Sequence, residues 1–312
     1  MSAFEGKKLV ILTGPTAVGK TELSIQAARR LNGSIISADS IQVYRGMDIG
    51  SAKIPPSKMQ GIDHYLIDVL DPADPFNVTV FQRMAYDAME KIYAEGRIPI
   101  ITGGTGFYIQ SVLYDIDFTE NEENGEIRKR LEQIAGEPDG CDALFRRLAQ
   151  IDPESAECID RHNIKRVIRA IEFYELTGRK ISAHNEQQRK KESPYEAYYF
   201  VLTDERERLY ERIEERVDHM MDAGLVQEVS DLLDRGCKRN WVSMQGLGYK
   251  EIVAYLMGEM TLEEAVALIK KETRHFAKRQ LTWFRREKHV IWLDKSKQSD
   301  AEILEQIVRT VL

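Results

Sequence analysis

Eight residues near the start of the chain, Gly14-Pro15-Thr16-Ala17-Val18-Gly19-Lys20-Thr21, have the types and the spacing of a phosphate-binding loop. Gly14 and Gly19 let backbone amides converge on phosphate oxygens, Lys20 adds a point charge, and Thr21 offers a hydroxyl to a magnesium ion. This chemistry requires a strand before the loop and a helix after it. The apolar run Leu9-Val10-Ile11-Leu12 and the four-residue recurrence of Leu23, Ala27 and Leu31 provide both. All eight residues are therefore expected to hold a diphosphate or triphosphate, with Mg2+ as cofactor and Thr21 as its protein ligand.

In an open parallel sheet, ligands bind beyond the carboxyl ends of the strands, where the loops gather around the first. Two polar loops belong there. One is Asp39-Ser40-Ile41-Gln42-Val43-Tyr44; the other is Gly103-Gly104-Thr105-Gly106-Phe107-Tyr108, a second glycine-rich turn that allows close backbone approach to a ligand. Asp39 is the carboxylate at such a strand end beside the phosphate loop. A role in the chemistry and the plainer roles of helix N-cap or outer magnesium ligand all fit its residue type.

A third constellation is basic and aromatic. Lys271, Arg274, Lys278 and Arg285 fall within about 60° of one another on a helix of 3.6 residues per turn, with Phe276, Gln280 and Trp283 on the other side. Taken alone, such a stripe reads as a solvated face over a packed one. A second cationic zone, Lys165, Arg166 and Arg169 with Arg189-Lys190-Lys191 further on, makes a polyanion gripped at several points a live reading.

The elements that must position these residues are legible in outline. Strands are expected at Lys8 to Thr13, Ser34 to Ser37, Tyr65 to Val69, Ile98 to Thr102, Tyr198 to Leu202 and Val290 to Leu293, several as the continuous apolar runs of strands covered on both faces. The stretch from about Asp117 to Pro194 is charged and helical in period, as in Ile127, Leu131 and Ile134, then Val167, Ala170, Ile171 and Tyr174. The expected fold is therefore α/β. A P-loop parallel-sheet core with helices on both faces occupies residues 1–117 and 198–312, and a helical insertion occupies 118–197. Leu209, Ile213, Val217, Met220 and Met221 mark an amphipathic helix, with Thr203-Asp204 suited to its N-cap.

With 312 residues, 43% of them hydrophobic, the chain can bury a sizeable core. No apolar stretch approaches the roughly 20 residues of a membrane span, and the N-terminus lacks a secretory signal, so a cytoplasmic protein with no membrane partner is expected. Cys141, Cys158 and Cys237 form neither a CxxC pair nor an even disulfide framework, and read as small buried apolar residues. A net charge of −7 argues against a uniform cationic coat but leaves local patches open.

The ordered set of motifs resembles one family across nearly the whole chain, the tRNA dimethylallyltransferases. The resemblance is carried by Gly14 to Thr21, by Asp39 to Tyr44 continuing through Gly46-Met47-Asp48-Ile49-Gly50, and by Gly103 to Tyr108. It continues through Arg166-Val167-Ile168-Arg169-Ala170-Ile171-Glu172, Gly248-Tyr249-Lys250-Glu251, and Ala277-Lys278-Arg279-Gln280-Leu281-Thr282-Trp283. Ser51, Ile54, Tyr65 and Ile164 depart from the family's usual residues.

The resemblance implies transfer of an isopentenyl group from dimethylallyl diphosphate to the exocyclic amine of the adenosine beside the tRNA anticodon. It implies Asp39 as general base, and Lys20 and Thr21 as stabilisers of the leaving diphosphate. It implies that Asp39, Ser40, Ile41 and Gln42 contact the base, and that Thr105 and Arg128 line the channel that receives it. It implies further that Lys165, Arg166, Arg169, Lys278, Arg279 and Gln280 hold the anticodon stem-loop. A monomer is expected. The rival readings are a P-loop small-molecule or nucleotide kinase using ATP and a nucleotide-switched RNA-binding protein without group transfer.

Overall fold

The computed structural model describes residues 5–118 and 125–312; the first four residues of the expected core and residues 119–124 of the expected insertion lie outside it. Six strands, β1 (Lys8–Thr13), β2 (Gly33–Ala38), β3 (His64–Tyr65), β4 (Ile98–Gly103), β5 (Glu196–Thr203) and β6 (Val290–Asp294), form one sheet in the order β3-β2-β4-β1-β5-β6. Every pairing is parallel. The central strands are apolar at successive positions because helices cover both faces. Val10, Leu12, Ile35, Ile100, Phe200 and Leu202 pack with Leu23 and Ala27 of α1 (Lys20–Leu31) and with Ile303 and Ile307 of α13 (Asp300–Val311). The alternate residues Leu9, Ile11, Ile36 and Ile101 point to the opposite face and are fully buried. There α2 (Val78–Ala94) packs on β2 and β4, burying Phe81, Ala85, Met89 and Ile92.

β1 lies inside the sheet between β4 and β5, so the loop after it opens where neighbouring strands also end. The Thr13 hydroxyl donates to the Gly103 carbonyl at 2.6 Å, and the Thr102 hydroxyl donates to the Leu12 carbonyl at 3.0 Å. The phosphate loop and the second glycine-rich turn are thereby tied at their roots.

The third strand is shorter than the expected Tyr65 to Val69. Leu66 and Asp68 have φ of 62° and 54°, which no strand accommodates. The chain instead turns back on the loop after β2, where the amides of Val69 and Leu70 both donate to the Val43 carbonyl. The N-cap expected from Asp204 is also absent. α9 (Arg206–Asp222) is capped at Glu205 without a side-chain bond, and Asp204 pairs instead with Arg212 at 2.8 Å. A buried carboxylate gains more from a guanidinium than from one amide. Only Cys237 is buried; Cys141 and Cys158 are exposed, against expectation.

The chain divides into two compact units, Met1–Leu113 with Pro194–Leu312, and Tyr114–Ser193. The divisions fall four residues before the expected ones at 117/118 and 197/198. At the second, β5 starts at Glu196, which pairs with Lys8, and the Gly6 amide already holds the Pro194 carbonyl at 2.9 Å. The second unit is helical. Leu131 from α4 (Gly125–Ala135), Leu144 and Leu148 from α5 (Gly140–Ile151), and Val167, Ala170 and Ile171 from α7 (Ile164–Thr177) form its own core. Asp152 staples it, accepting from the hydroxyls of Ser155 and Ser182, each at 2.7 Å. Among the described residues no helix is long and apolar enough to cross a membrane.

Candidate active site

A cleft of about 690 Å³ opens at the carboxyl ends of β1, β2 and β4 and lies within the first unit. The phosphate loop contributes Thr16, Ala17, Gly19, Lys20 and Thr21, β2 and its loop contribute Ser37, Asp39 and Gln42, and β4 contributes Thr102, Gly103 and Gly104. Gly14, Pro15 and Val18 form the loop without lining the cleft, Val18 being fully buried. Ala17 sits at φ 64°, a cost a non-glycine residue bears only where surrounding structure imposes it.

Lys20 folds back on its own loop, its ammonium donating to the carbonyls of Gly14 at 3.0 Å and Pro15 at 2.8 Å. Burial and then the charge of Arg216 push its pKa down to about 7, while Asp39 pulls it up. Arg216 comes from α9, and its Nη1 donates to the Thr16 hydroxyl at 3.3 Å. Two neighbouring cations, with Asp39 as the carboxylate that acts on both, make a site that favours a further anion. Sequence reading missed Arg216, which lies among the alternating charges of a helix some 200 residues from the loop it serves. The only local signal was its place one residue from Val217 on a helix whose buried stripe was already evident.

Asp39 faces the same cleft. Its Oδ1 accepts from the amides of Ile41 at 2.8 Å and Gln42 at 3.2 Å, closing a tight turn. This is a loop contact and not a helix N-cap, since no helix starts at Asp39. It occupies one oxygen, and among the described residues Oδ2 has no hydrogen-bond partner. Gln42 is held by Ser37 and by the Ser51 carbonyl, whereas Ser40 and Ile41 lie outside the cleft lining. Thr105 also lies outside the lining. Its amide donates to the Ala38 carbonyl, and its own carbonyl opens α3 (Gly106–Leu113) by accepting from Tyr108 and Ile109.

The stripe on α12 (Leu262–Phe284) separates as it was read, with one exception. Lys278 and Arg279 are exposed, but Arg274 pairs with Glu214 at 2.6 Å. Gln280, expected to hold RNA, is 5% exposed and spends its amide inside the protein. Its Oε1 accepts from the Thr16 amide at 2.9 Å and its Nε2 donates to the Gly104 carbonyl at 3.0 Å, bridging the two glycine-rich loops. A Cβ at Gly104 would run into that amide, which explains the glycine. In the second unit Arg128 and Arg169 share the carboxylate of Glu172, while Lys165 and Arg166 are exposed.

Among the described residues no three His, Cys, Asp or Glu are grouped to hold a metal. The Thr21 hydroxyl and the Asp39 carboxylate nevertheless line one cleft with a phosphate loop. Few hard protein oxygens beside a place for phosphates suit Mg2+, which keeps most of its shell as water and substrate oxygens.

A phosphate loop facing a free carboxylate oxygen across a single cleft defines an enzyme that moves a group on or off a phosphorylated substrate. The sequence profile of the IPP transferase family matches residues 42–287. The chain is 60% identical over 302 residues to a tRNA dimethylallyltransferase of Lachnoclostridium phytofermentans, covering 96% of each chain. To that of Carboxydothermus hydrogenoformans it is 48% identical, covering 97% of this chain and 96% of the relative. Among solved structures it is similar to a tRNA isopentenylpyrophosphate transferase from Bacillus halodurans, with TM-score 0.74 and 43% identity over 98% of this chain and 95% of that one. A eukaryotic dimethylallyltransferase acting on tRNA superimposes with TM-score 0.84 at 28% identity, over 97% of this chain and 78% of that one. The chain belongs to the IPP transferase family and is a transferase, which sets the kinase reading aside.

Proposed function

We propose that the protein transfers the dimethylallyl group of dimethylallyl diphosphate to the exocyclic amine of the adenosine 3′ to the anticodon in tRNA, releasing diphosphate. One observation carries this reading beyond the family likeness. The cleft that holds Lys20, Arg216 and Asp39 is also lined by Ile49, Ala52, Met220, Ala223 and Phe276, beside the charged Asp48, Lys53, Arg212 and Glu215, and these apolar groups form a wall suited to a prenyl chain.

In this mechanism the amine nitrogen forms a bond to the allylic carbon as the carbon–oxygen bond breaks, and the electron pair leaves with the diphosphate. Lys20, Arg216 and the loop amides meet that charge where it develops. Oδ2 of Asp39 accepts the proton from the amine and orients a weak nucleophile. Mg2+, held by Thr21 and the donor's own phosphates, would neutralise further charge. The apolar wall keeps water from a carbon that becomes cation-like. A base stacked in an anticodon loop must be flipped out to react. Asp39, Gln42 and the turn at Thr105 would receive it, and Arg128, Lys165, Arg166, Arg169, Lys278 and Arg279 would grip the stem-loop. Gln280 would act through the two loops it joins. The enzyme would work as a monomer in the cytoplasm, where its RNA substrate is found.

Incubation with Mg2+, labelled dimethylallyl diphosphate and an unmodified tRNA bearing that adenosine, with ATP in a parallel tube, tests the reading. Label on the adenosine is expected. Unlabelled RNA together with γ-phosphate release from ATP would overturn it.

A further inference from the structure

A carboxylate outside the cleft lining holds the turn that carries part of the apolar wall. Glu228, on α10 (Leu225–Asp234), accepts three consecutive backbone amides: Asp48 at 2.9 Å and Ile49 at 2.7 Å on Oε2, and Gly50 at 3.1 Å on Oε1. A fourth donor, the hydroxyl of Tyr249 at the start of α11 (Tyr249–Leu256), reaches Oε1 at 2.7 Å. Tyr249 is fully buried, and burial with the neighbouring carboxylate drives its pKa far upward, so it remains a donor. Gly50 rests on the Tyr249 ring so closely that a Cβ there would stand 2.6 Å from two ring carbons.

Three successive amides converging on one point make an anion nest. Here the protein's own carboxylate fills it, so this turn is not a second phosphate site. What the nest fixes is the backbone from Asp48 to Gly50, and with it Ile49 and Ala52 of the cleft wall. The far end of the turn is pinned separately: the Lys53 ammonium is held by Asp48 at 2.6 Å, Asp68 at 2.5 Å and the Tyr44 carbonyl at 2.7 Å. Clamped at both ends, the turn contributes two apolar residues to the same cleft lining as Met220, Ala223 and Phe276. The phosphate loop, anchored by Gln280 and Arg216, depends on none of these contacts.

We infer that Glu228 and Tyr249 are positioning residues that set the depth of the apolar wall, and through it the length of prenyl chain the enzyme accepts. The inference rests on the proposed function, and it assigns a role to the Gly46–Gly50 and Gly248–Glu251 motifs.

The test compares wild type with Glu228→Gln, which keeps the volume but turns an amide group toward the converging amides, and with Gly50→Ala, which pushes the turn off the Tyr249 ring. For Glu228→Gln, KM for dimethylallyl diphosphate is expected to rise about tenfold and its preference over geranyl diphosphate to fall by a similar factor. kcat, KM for tRNA and the affinity for inorganic diphosphate should stay within a few fold, because the phosphate loop is unaltered. Gly50→Ala should shift the preference in the same direction, and it carries the test if Glu228→Gln does not fold. Tyr249→Phe, which removes one of the four bonds, should shift it less. An unchanged chain-length preference in the folded variants would sink the inference, as would an equal loss of inorganic diphosphate binding, since the turn would then serve the phosphate site or the fold at large. A wild-type protein that transfers neither prenyl group would instead overturn the proposed function, and this inference with it.

Discussion

At Lys20 the surroundings work against the charge the residue exists to supply. Burial and Arg216 hold its pKa near 7, well below the 10.5 of a free lysine. A diphosphate bound against the loop would favour the charged form. Below pH 7 Lys20 is already charged and binding moves no proton through it; above pH 7 binding must draw a proton in, and affinity falls as pH rises. Calorimetry of diphosphate binding near pH 8, in buffers of different ionisation enthalpy, should show proton uptake that shrinks in Arg216→Gln. Asp39 makes the complementary case. Asn at this position keeps the Oδ1 that closes the turn onto Ile41 and Gln42 but removes the base. Turnover should fall by about 10²–10⁴-fold with tRNA affinity little changed, as measured by single-turnover kinetics and filter binding. Near-normal turnover would remove Asp39 from the chemistry.

Two helices carry what their local patterns only half reveal. On α12, exposed Lys278 and Arg279 alternate with buried Gln280, and only the last is engaged with the phosphate loop. Removing the Gln280 amide leaves the half-buried Thr16 amide and Gly104 carbonyl without this partner, each costing up to about 1 kcal/mol beside a cleft that water can enter. Gln280→Ala should accordingly lower the melting temperature and weaken diphosphate binding together. Lys278→Ala should leave both alone while making the salt dependence of tRNA binding shallower, by about 0.7–0.9 in logarithmic slope if one phosphate contact is lost. The helical period made α12 and α9 plain in the sequence, because buried positions repeat every three to four residues. It could not say that Gln280 points at the phosphate loop or that Arg216 leaves its charged neighbours for Thr16, because both partners lie more than 190 residues away.

Across the molecule, the cleft is lined by the first unit alone, while the second unit has a core of its own around Leu148 and Ile171. Leu148→Ala should cost about 2–5 kcal/mol within the helical unit. Inorganic diphosphate should still bind, and tRNA binding should be lost as the helices that present Lys165 and Arg166 loosen; loss of both ligands at once would mean that the units do not hold their sites separately. The strands, the phosphate loop and the helical insertion were legible because each rests on nearest-neighbour chemistry: apolar runs covered on both faces, glycines at fixed spacing, a 3.6-residue period. The short β3 was misread because positive φ at Leu66 and Asp68 depends on the loop they fold against. Residue types and their spacing were enough to name the groups that could meet a diphosphate and the kind of sheet that would present them. It took the folded chain to show that Arg216 meets Thr16 of the phosphate loop, that Gln280 braces two loops, and that Glu228 holds the turn from Asp48 to Gly50, since each contact joins segments that no local pattern relates.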